Sequence, residues 1–354
     1  MDADRSYKYR PLGTPSTIRL IKVLRDRVDS CVTCKVYTYD TQQQPDVKYE
    51  ALSYVWGNPE HTHLMYLAAD TDEQWSPFPL HENLGRFLEH AWQHEFFDRL
   101  FWTDCICLNQ KDPDEIAQQI PRMGSIYSNA DQVVSWLQLD ERKSQYLQDC
   151  MEMYGRQPPS EHLKDLQGGA YAVANDVYWR RAWIVQEVAL AKRVWVIAGS
   201  VSMDLSEMWS RMTSLFRGYD FAERQLFRRS STPSQPFMWV LCKLQEAGGK
   251  LPLWKVLFDF GGYESSRPAD QVYGLLGMVA DNEDGTSPVE HIQVDYDKPL
   301  VHIRLDLVYE SPPPWRELIE LILPLPNYRR RPQYRKPVAL PPAVDVLFEY
   351  VTKR

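Results

Sequence analysis

The chain reads as an α/β protein built on a mostly parallel sheet flanked by helices. Short apolar, β-branched runs recur at 49–57, 100–108, 133–137 and 193–199, and segments with apolar residues at helical spacing lie between them. Strands that alternate with helices in this way are joined by right-handed crossovers into a sheet that binds ligands at the carboxyl ends of its strands. Two adjacent strand-like runs, 17–24 and 32–39, come first and predict an antiparallel ribbon.

Bulk composition narrows the class. A chain of 354 residues with 44% hydrophobic residues can bury a large core. Its 40 basic and 48 acidic residues leave a net charge of −8, which argues against a nucleic-acid partner. The charged start lacks the apolar centre of a signal peptide, and no run approaches the roughly 20 apolar residues of a membrane span. A cytoplasmic protein without membrane contact is therefore expected. Six cysteines are sparse for this length and read as reduced thiols, and Cys31-Val-Thr-Cys34 lacks the second pair of a zinc site.

Taken in order, the run ending in Val55-Trp56-Gly57-Asn58 is a buried strand opening into a loop. Residues 81–94 form a helix with Leu84, Phe87, Leu88 and Ala91 on one face; His90 and His94 are four apart but lack the glutamate of a metalloprotease motif. Residues 100–108 read as a second buried strand interrupted by Asp104. A carboxylate there is costly unless it is paired or faces a ligand at the sheet's carboxyl edge. The helical spacing of 114–129 is bent at Pro121. Residues 141–175 are polar, with Gly168-Gly169, and read as a helix followed by a mobile loop. Gly57, Asn109, Gln110 and the loop before Arg180 are rim positions.

A helix over 181–192 puts Ile184, Val188 and Ala191 on one stripe, with Trp183 and Glu187 four apart beside it. A glutamate there, covered by an indole, has its pKa raised unless Arg180 or Arg181 offsets the desolvation. Read alone, this is a surface helix with a salt bridge over the core edge.

Further on, Asp204-Leu-Ser-Glu207 is a capping box for a helix to Phe216. Residues 224–235 read as a surface loop, 253–258 as amphipathic, and 266–279 as a turn leading into a short helix. Residues 294–299 are extended to turn and 302–310 helical. The Pro-rich, basic stretch 311–354 reads as a tail.

Three segments in order, Tyr49–Gly57, Trp102–Gln110 with Gln119–Tyr127, and Arg180–Glu187, resemble the fungal heterokaryon-incompatibility (HET) domain. Asp270-Gln-Val-Tyr-Gly-Leu-Leu-Gly277 and Asp295-Tyr296 resemble the segment that follows that domain. The chain departs from the family at Thr103-Asp-Cys105, where Ile-Asp-Ala is usual, and at Arg267–Gln271, where Asp-Pro-Arg-Asp-Lys is usual. The chain is thus expected to divide into a 1–48 ribbon packed on the core, an α/β domain over 49–200 that the resemblance makes TIR-like (flavodoxin-like), a mainly helical extension over 201–310, and the 311–354 tail. The resemblance also implies a role in programmed cell death when genetically different cells fuse, often as effector of a larger receptor.

TIR domains, to which the HET domain is considered similar, have a strand ending in Ser-Tyr, matched by Ser53-Tyr54. Their Trp-Cys-x-x-Glu motif is matched in spacing by Trp183 to Glu187. In TIR domains that hydrolyse NAD this glutamate is catalytic. The resemblance thus makes Glu187 the catalytic candidate, with Ser53, Tyr54, Trp56, Gly57, Asp104, Asn109, Gln110, Arg180, Arg181, Trp183 and Gln186 as substrate-binding candidates and no cofactor or metal. Nicotinamide leaves NAD from a ring that is already cationic, so one carboxylate that holds the ribose and stabilises the oxocarbenium-like state suffices. Trp56 or Trp183 is placed to stack on a base, and Arg180 or Arg181 to bind phosphate. The alternative is a non-catalytic signalling module that acts by self-association or by binding a partner protein, with Asp104, Arg181 and Glu187 as a structural network.

Overall fold

The computed structural model describes residues 6–303 apart from 59, 157–159, 215–236, 262, 283–284, 290–291 and 301. The expected loop 224–235, the tail 311–354 and all but the first turn of the expected 302–310 helix lie outside these residues.

Nine strands form one sheet in the order β5-β4-β2-β1-β6-β3-β7-β8-β9. They are β1 (Thr17–Val28), β2 (Cys31–Asp40), β3 (Glu50–Tyr54), β4 (His61–Ala69), β5 (Ser76–His81), β6 (Phe101–Trp102), β7 (Gln132–Leu137), β8 (Val194–Ala198) and β9 (Val201–Asp204). The β6–β3, β3–β7, β7–β8 and β2–β4 pairs are parallel. The β1–β2, β1–β6, β4–β5 and β8–β9 pairs are antiparallel. The expected mostly parallel sheet is thus a mixed one.

The difference has local causes. The β1–β2 turn is made by Asp29 and Ser30, both in the left-handed region at φ 48° and 64°, the geometry of a two-residue hairpin turn. Gly199, at φ 60°, turns β8 into β9. The ribbon does not stand apart, because β1 pairs with β6 and places β1 and β2 within the sheet. Strands β4 and β5 escaped the sequence reading because β5 carries Pro77 and Pro79. Those prolines are tolerated because β5 is the edge strand.

Helix α1 (Glu82–Gln93) buries Leu84, Phe87, Leu88 and Ala91, the face expected from spacing. Residues 100–108 are not one strand. Only Phe101–Trp102 pair, Thr103 is extended, and Asp104–Cys107 form the helical turn α2, with the Ile106 and Cys107 N–H groups donating to the Thr103 carbonyl. A short buried apolar run has no periodicity that separates strand from helix. Asp104 consequently lies just past the carboxyl end of β6 rather than inside a strand.

Pro121 does break the next helix, leaving α3 (Pro113–Gln119), a 3-10 turn at Ile120–Arg122 and α4 (Met123–Asn129). Where a mobile loop was expected within 141–175, residues 160–174 are helical, so that α5 (Glu141–Glu152) and α6 (Ser160–Ala174) pack together, while 157–159 lie outside the described residues. Gly169 marks that contact, since a Cβ there would collide with the Tyr146 ring.

After α7 (Ala182–Ala189) and α8 (Leu205–Ser214), helices α9 (Phe237–Glu246), α10 (Leu253–Phe260) and α11 (Asp270–Tyr273) fold back onto the α/β layer. One crossing is glycine against glycine: a Cβ on Gly124 would lie 2.9 Å from the Gly277 Cα. Gly124→Ala is therefore expected to push α4 away from residues 276–278 and cost about 1–3 kcal/mol, read as a lower denaturant midpoint with unchanged slope. Unchanged stability would mean that the two segments do not pack as described.

Candidate functional site

Helix α7 is buried nearly all round, not only along the Ile184–Val188–Ala191 stripe. Ala182, Ile184, Val185, Gln186, Glu187, Val188 and Ala189 are all buried. A helix enclosed in this way is covered from several sides. The sheet lies under it, and the returning extension closes over it. The expected surface helix with an edge salt bridge is not what forms.

Its N-terminus depends on that enclosure. Arg181, the residue preceding the first turn, provides no side-chain cap. The Ala182 N–H instead donates to the Glu264 carbonyl over 2.8 Å, and the Glu264 N–H donates to the Arg180 carbonyl over 2.7 Å. One of the orphan donors that begin every helix is thus satisfied by a residue more than eighty positions away in sequence.

Beneath α7, Ser53 in β3 is paired in register with Ser135 in β7. Paired residues point to one sheet face. The Tyr178 hydroxyl joins both, 2.6 Å from Ser53 Oγ and donating to Ser135 Oγ at 2.7 Å. Glu187 enters this layer from above at 5% exposure.

Burial pushes the Glu187 carboxyl up to about 8. The nearby Asp104 charge adds to this, while hydrogen bonding by the Ser53 and Tyr127 hydroxyls and the Arg181 guanidinium oppose it. Glu187 Oε2 is buried without a hydrogen-bond partner. An unmatched acceptor in such a place is costly unless it is protonated or held for a ligand.

Asp104 lies at the carboxyl edge beside this cluster. Its Oδ2 accepts from Trp56 Nε1 at 2.8 Å, and its Oδ1 accepts from the Cys105 N–H at 2.8 Å and the Tyr54 hydroxyl at 3.3 Å. Burial raises its pKa, with Trp56 and Arg181 as the main opposing influences. Because its oxygens are occupied by protein donors, Asp104 orients Trp56 rather than waiting for substrate. Arg181 donates to the Tyr54 carbonyl over 2.7 Å and is the cation common to Asp104 and Glu187.

Ser53, Tyr54, Trp56, Asp104, Arg181 and Glu187 therefore converge, and Gln110 joins them by donating to the Asp104 carbonyl at 2.8 Å. The remaining candidates serve other contacts. Arg180 turns to an ion pair with Glu264 at 3.1 Å. Asn109 forms a turn, with its N–H on Glu115 Oε1 at 2.7 Å. Gly57, at φ 78°, shapes the loop against Asn83. The Gln186 amide faces Gly277, and Trp183 lies against Gly274 and Asp270.

Sequence reasoning missed Tyr127, Tyr178 and Ser135. Tyr127 closes one of the quoted motifs and Tyr178 lies two residues before another, but no local pattern told that their hydroxyls would meet Ser53 and Glu187. Ser135 interrupts an apolar strand and was a polar signal of the same kind as Asp104.

A separate cleft of about 520 Å³ opens beside β8, lined by His90, His94, Arg99, Arg193 and Trp195 among others. Its two arginines are already paired, Arg99 with Glu50 and Arg193 with Asp204, each at 3.3 Å. His90 is held down to about 4 by burial and by His94. Among the described residues no group of three or more His, Cys, Asp or Glu side chains could hold a metal ion, and no helix is long and apolar enough to cross a membrane.

The residues that converge here lie on an α/β domain with a mixed sheet whose buried helix α7 carries the Glu187 carboxyl. The family model for heterokaryon incompatibility protein (HET) matches residues 49–197, and that region belongs to the heterokaryon incompatibility family. Heterokaryon incompatibility protein 6, OR allele, of Neurospora crassa is 34% identical over 161 residues, which cover 43% of this chain and 23% of that protein. The chain thus spans about a quarter of the length of the curated relative that it matches. No solved structure matches the chain.

The raised Glu187 pKa has a stability consequence. Between its ordinary value of 4.5 and about 8, the folded protein keeps a proton that the unfolded chain has released. The stability from this group is full below 4.5, falls as pH rises through that window and levels off above about 8. Glu187→Gln, which cannot ionise, is expected to gain on the wild type by on the order of a few kcal/mol between pH 5 and 8.5. Parallel denaturation curves for the two proteins across that range would contradict the assignment.

Proposed function

We propose that the HET region, closed by its downstream extension, is a cell-death effector module of the heterokaryon-incompatibility type, and that Glu187 hydrolyses NAD as in the TIR domains it resembles. The observation that carries this reading is the buried, unpartnered Glu187 Oε2 near Arg181, whose charge acts on both Glu187 and Asp104. A carboxyl group with a free acceptor and a raised pKa is poised for a ligand hydroxyl and for developing positive charge.

In the reaction, water adds to the ribose carbon as the bond to nicotinamide breaks. Nicotinamide leaves neutral with the bonding pair, and one proton is released. Glu187 accepts from the ribose hydroxyls and stabilises the oxocarbenium-like state. Trp56, held by Asp104, offers a half-buried ring at the site's edge, and Arg181 supplies the fixed cation.

Following nicotinamide release from NAD by the purified chain, over a range of protein concentrations to allow for self-association, tests the assignment. Glu187→Gln is expected to lose at least about a hundredfold in rate, the scale of a removed electrostatic stabiliser. Because the ionised carboxylate is the working form, the rate is expected to rise with pH and level off above about 8. Activity unchanged in Glu187→Ala would sink the proposal.

The 5% exposure of Glu187 favours a second reading, in which the Ser53–Tyr178–Ser135 network and Glu187 hold the core of a non-catalytic module that signals by self-association. Cell killing would then follow oligomer formation and leave NAD levels unchanged.

A further inference from the structure

Helix α2, which carries Asp104, is too short to satisfy itself. A single helical turn leaves its last carbonyls without intrahelical partners, and an isolated segment of that length is not stable in water. Within Asp104–Cys107, the Asp104 carbonyl receives the Leu108 N–H at 3.3 Å and Gln110 Nε2 at 2.8 Å. The Ile106 and Cys107 carbonyls are reached from much earlier in the chain. The Tyr9 hydroxyl donates to the first at 2.9 Å, and Arg19 Nη1 donates to the second at 3.0 Å. Both residues precede the matched region, which begins at residue 49.

These two side chains are themselves fixed. Arg19, in β1, is 2% exposed and makes a two-pronged ion pair with Glu115 of α3, Nη1 to Oε1 at 2.6 Å and Nη2 to Oε2 at 2.9 Å. Glu115 Oε1 also accepts from the Asn109 N–H at 2.7 Å, so one pair holds both the end of α2 and the loop that carries Gln110. Arg19 Nη2 donates further to the Arg10 carbonyl at 2.7 Å, and the guanidinium lies 4.9 Å from the centre of the Tyr9 ring. Residues 9 and 10 are thereby strapped to β1 and onto α2. Only the planar fork of an arginine serves two carboxylate oxygens and two carbonyls at once.

The turn decides where Asp104 points. Thr103 is still extended, at φ −143° and ψ 132°, and gives α2 no side-chain cap. A strand continuing from it would alternate sides and put Asp104 on the side of Trp102, whose ring packs edge-on against Tyr127 at 5.4 Å. In the turn, Asp104 instead meets Trp56 Nε1, the Tyr54 hydroxyl and the Cys105 N–H.

We propose that Tyr9 and Arg19 are positioning residues of the site, which complete the carbonyls of α2, keep residues 104–107 in a turn and so hold Asp104 on Trp56. The proposal rests on Trp56 being part of the working site. The smallest functional unit then begins at or before Tyr9, well ahead of the matched region.

The Trp56 indole N–H reports on this directly, because it donates to Asp104 Oδ2. Its hydrogen exchange is followed by NMR in the full chain, with its signal assigned by its loss in Trp56→Phe. The Trp179 indole, fully buried and bonded to the Val173 carbonyl at 3.0 Å, is the reference. In the wild type Trp56 is expected to exchange faster than Trp179, through local opening of α2.

Tyr9→Phe removes one hydroxyl and keeps the ring over Arg19, so the variant is expected to fold. Its Trp56 exchange rate is expected to rise about five- to tenfold, the effect of losing one hydrogen bond. Arg19→Lys, which keeps the charge but loses the fork, is expected to raise it as well. A Tyr9 with a merely structural role would lower the melting temperature of Tyr9→Phe and leave the Trp56 rate unchanged, and an unchanged rate would overturn the proposal. So would wild-type Trp56 and Trp179 exchanging at one rate, since α2 would then not open separately. Neither readout uses NAD, so failure of NAD cleavage and failure of this positioning are separate results.

Discussion

The structure turns on the burial of one carboxyl group. Glu187 sits on a helix enclosed on nearly every side, above two serines whose hydroxyls are already joined through Tyr178. An ionised carboxylate there lacks water and has one oxygen without a partner, so its surroundings decide its charge. Hydrogen bonding by Ser53 is the main compensation, followed by the Arg181 charge and Tyr127, while the Asp104 charge works against them. Burial outweighs these influences, which is why the Glu187 pKa remains raised.

The helix that carries Glu187 also packs against residues the HET match does not include. The sheet supports α7 from below, but its N-terminal N–H is satisfied by Glu264 and its Trp183 lies against Gly274 and Asp270. Gly277 leaves room for Gln186 and for α4 at once. The extension is therefore part of the core that holds α7.

Asp104 shows a different use of a buried acid. With donors on both oxygens it is matched, and its effect passes through the parts it holds, chiefly the Trp56 ring. Glu187 and Asp104 lie close enough to influence each other yet differ in hydrogen bonding, a contrast that separates an anchoring carboxylate from one left available.

Much of this was legible in the residues themselves. Apolar periodicity located β3, β7, β8, α1 and the break at Pro121, because burial on one face or in a central strand leaves a repeat that can be counted. The spacing from Trp183 to Glu187 and the polar interruption at Asp104 marked the right side chains. Local pattern could not decide whether 100–108 was strand or helix, since a buried run is apolar in either form, nor that the prolines of β5 would be harmless on an edge. It also could not tell that Arg180 and Arg181, adjacent in the chain, would part, one to Glu264 and the other to Tyr54 and the carboxylates. The sequence by itself determined the central strands β3, β7 and β8, helix α1 and which side chains carry charge. Only the tertiary structure decided which charges are buried together and which oxygen is left unmatched, because desolvation and pairing depend on contacts between residues far apart in the chain.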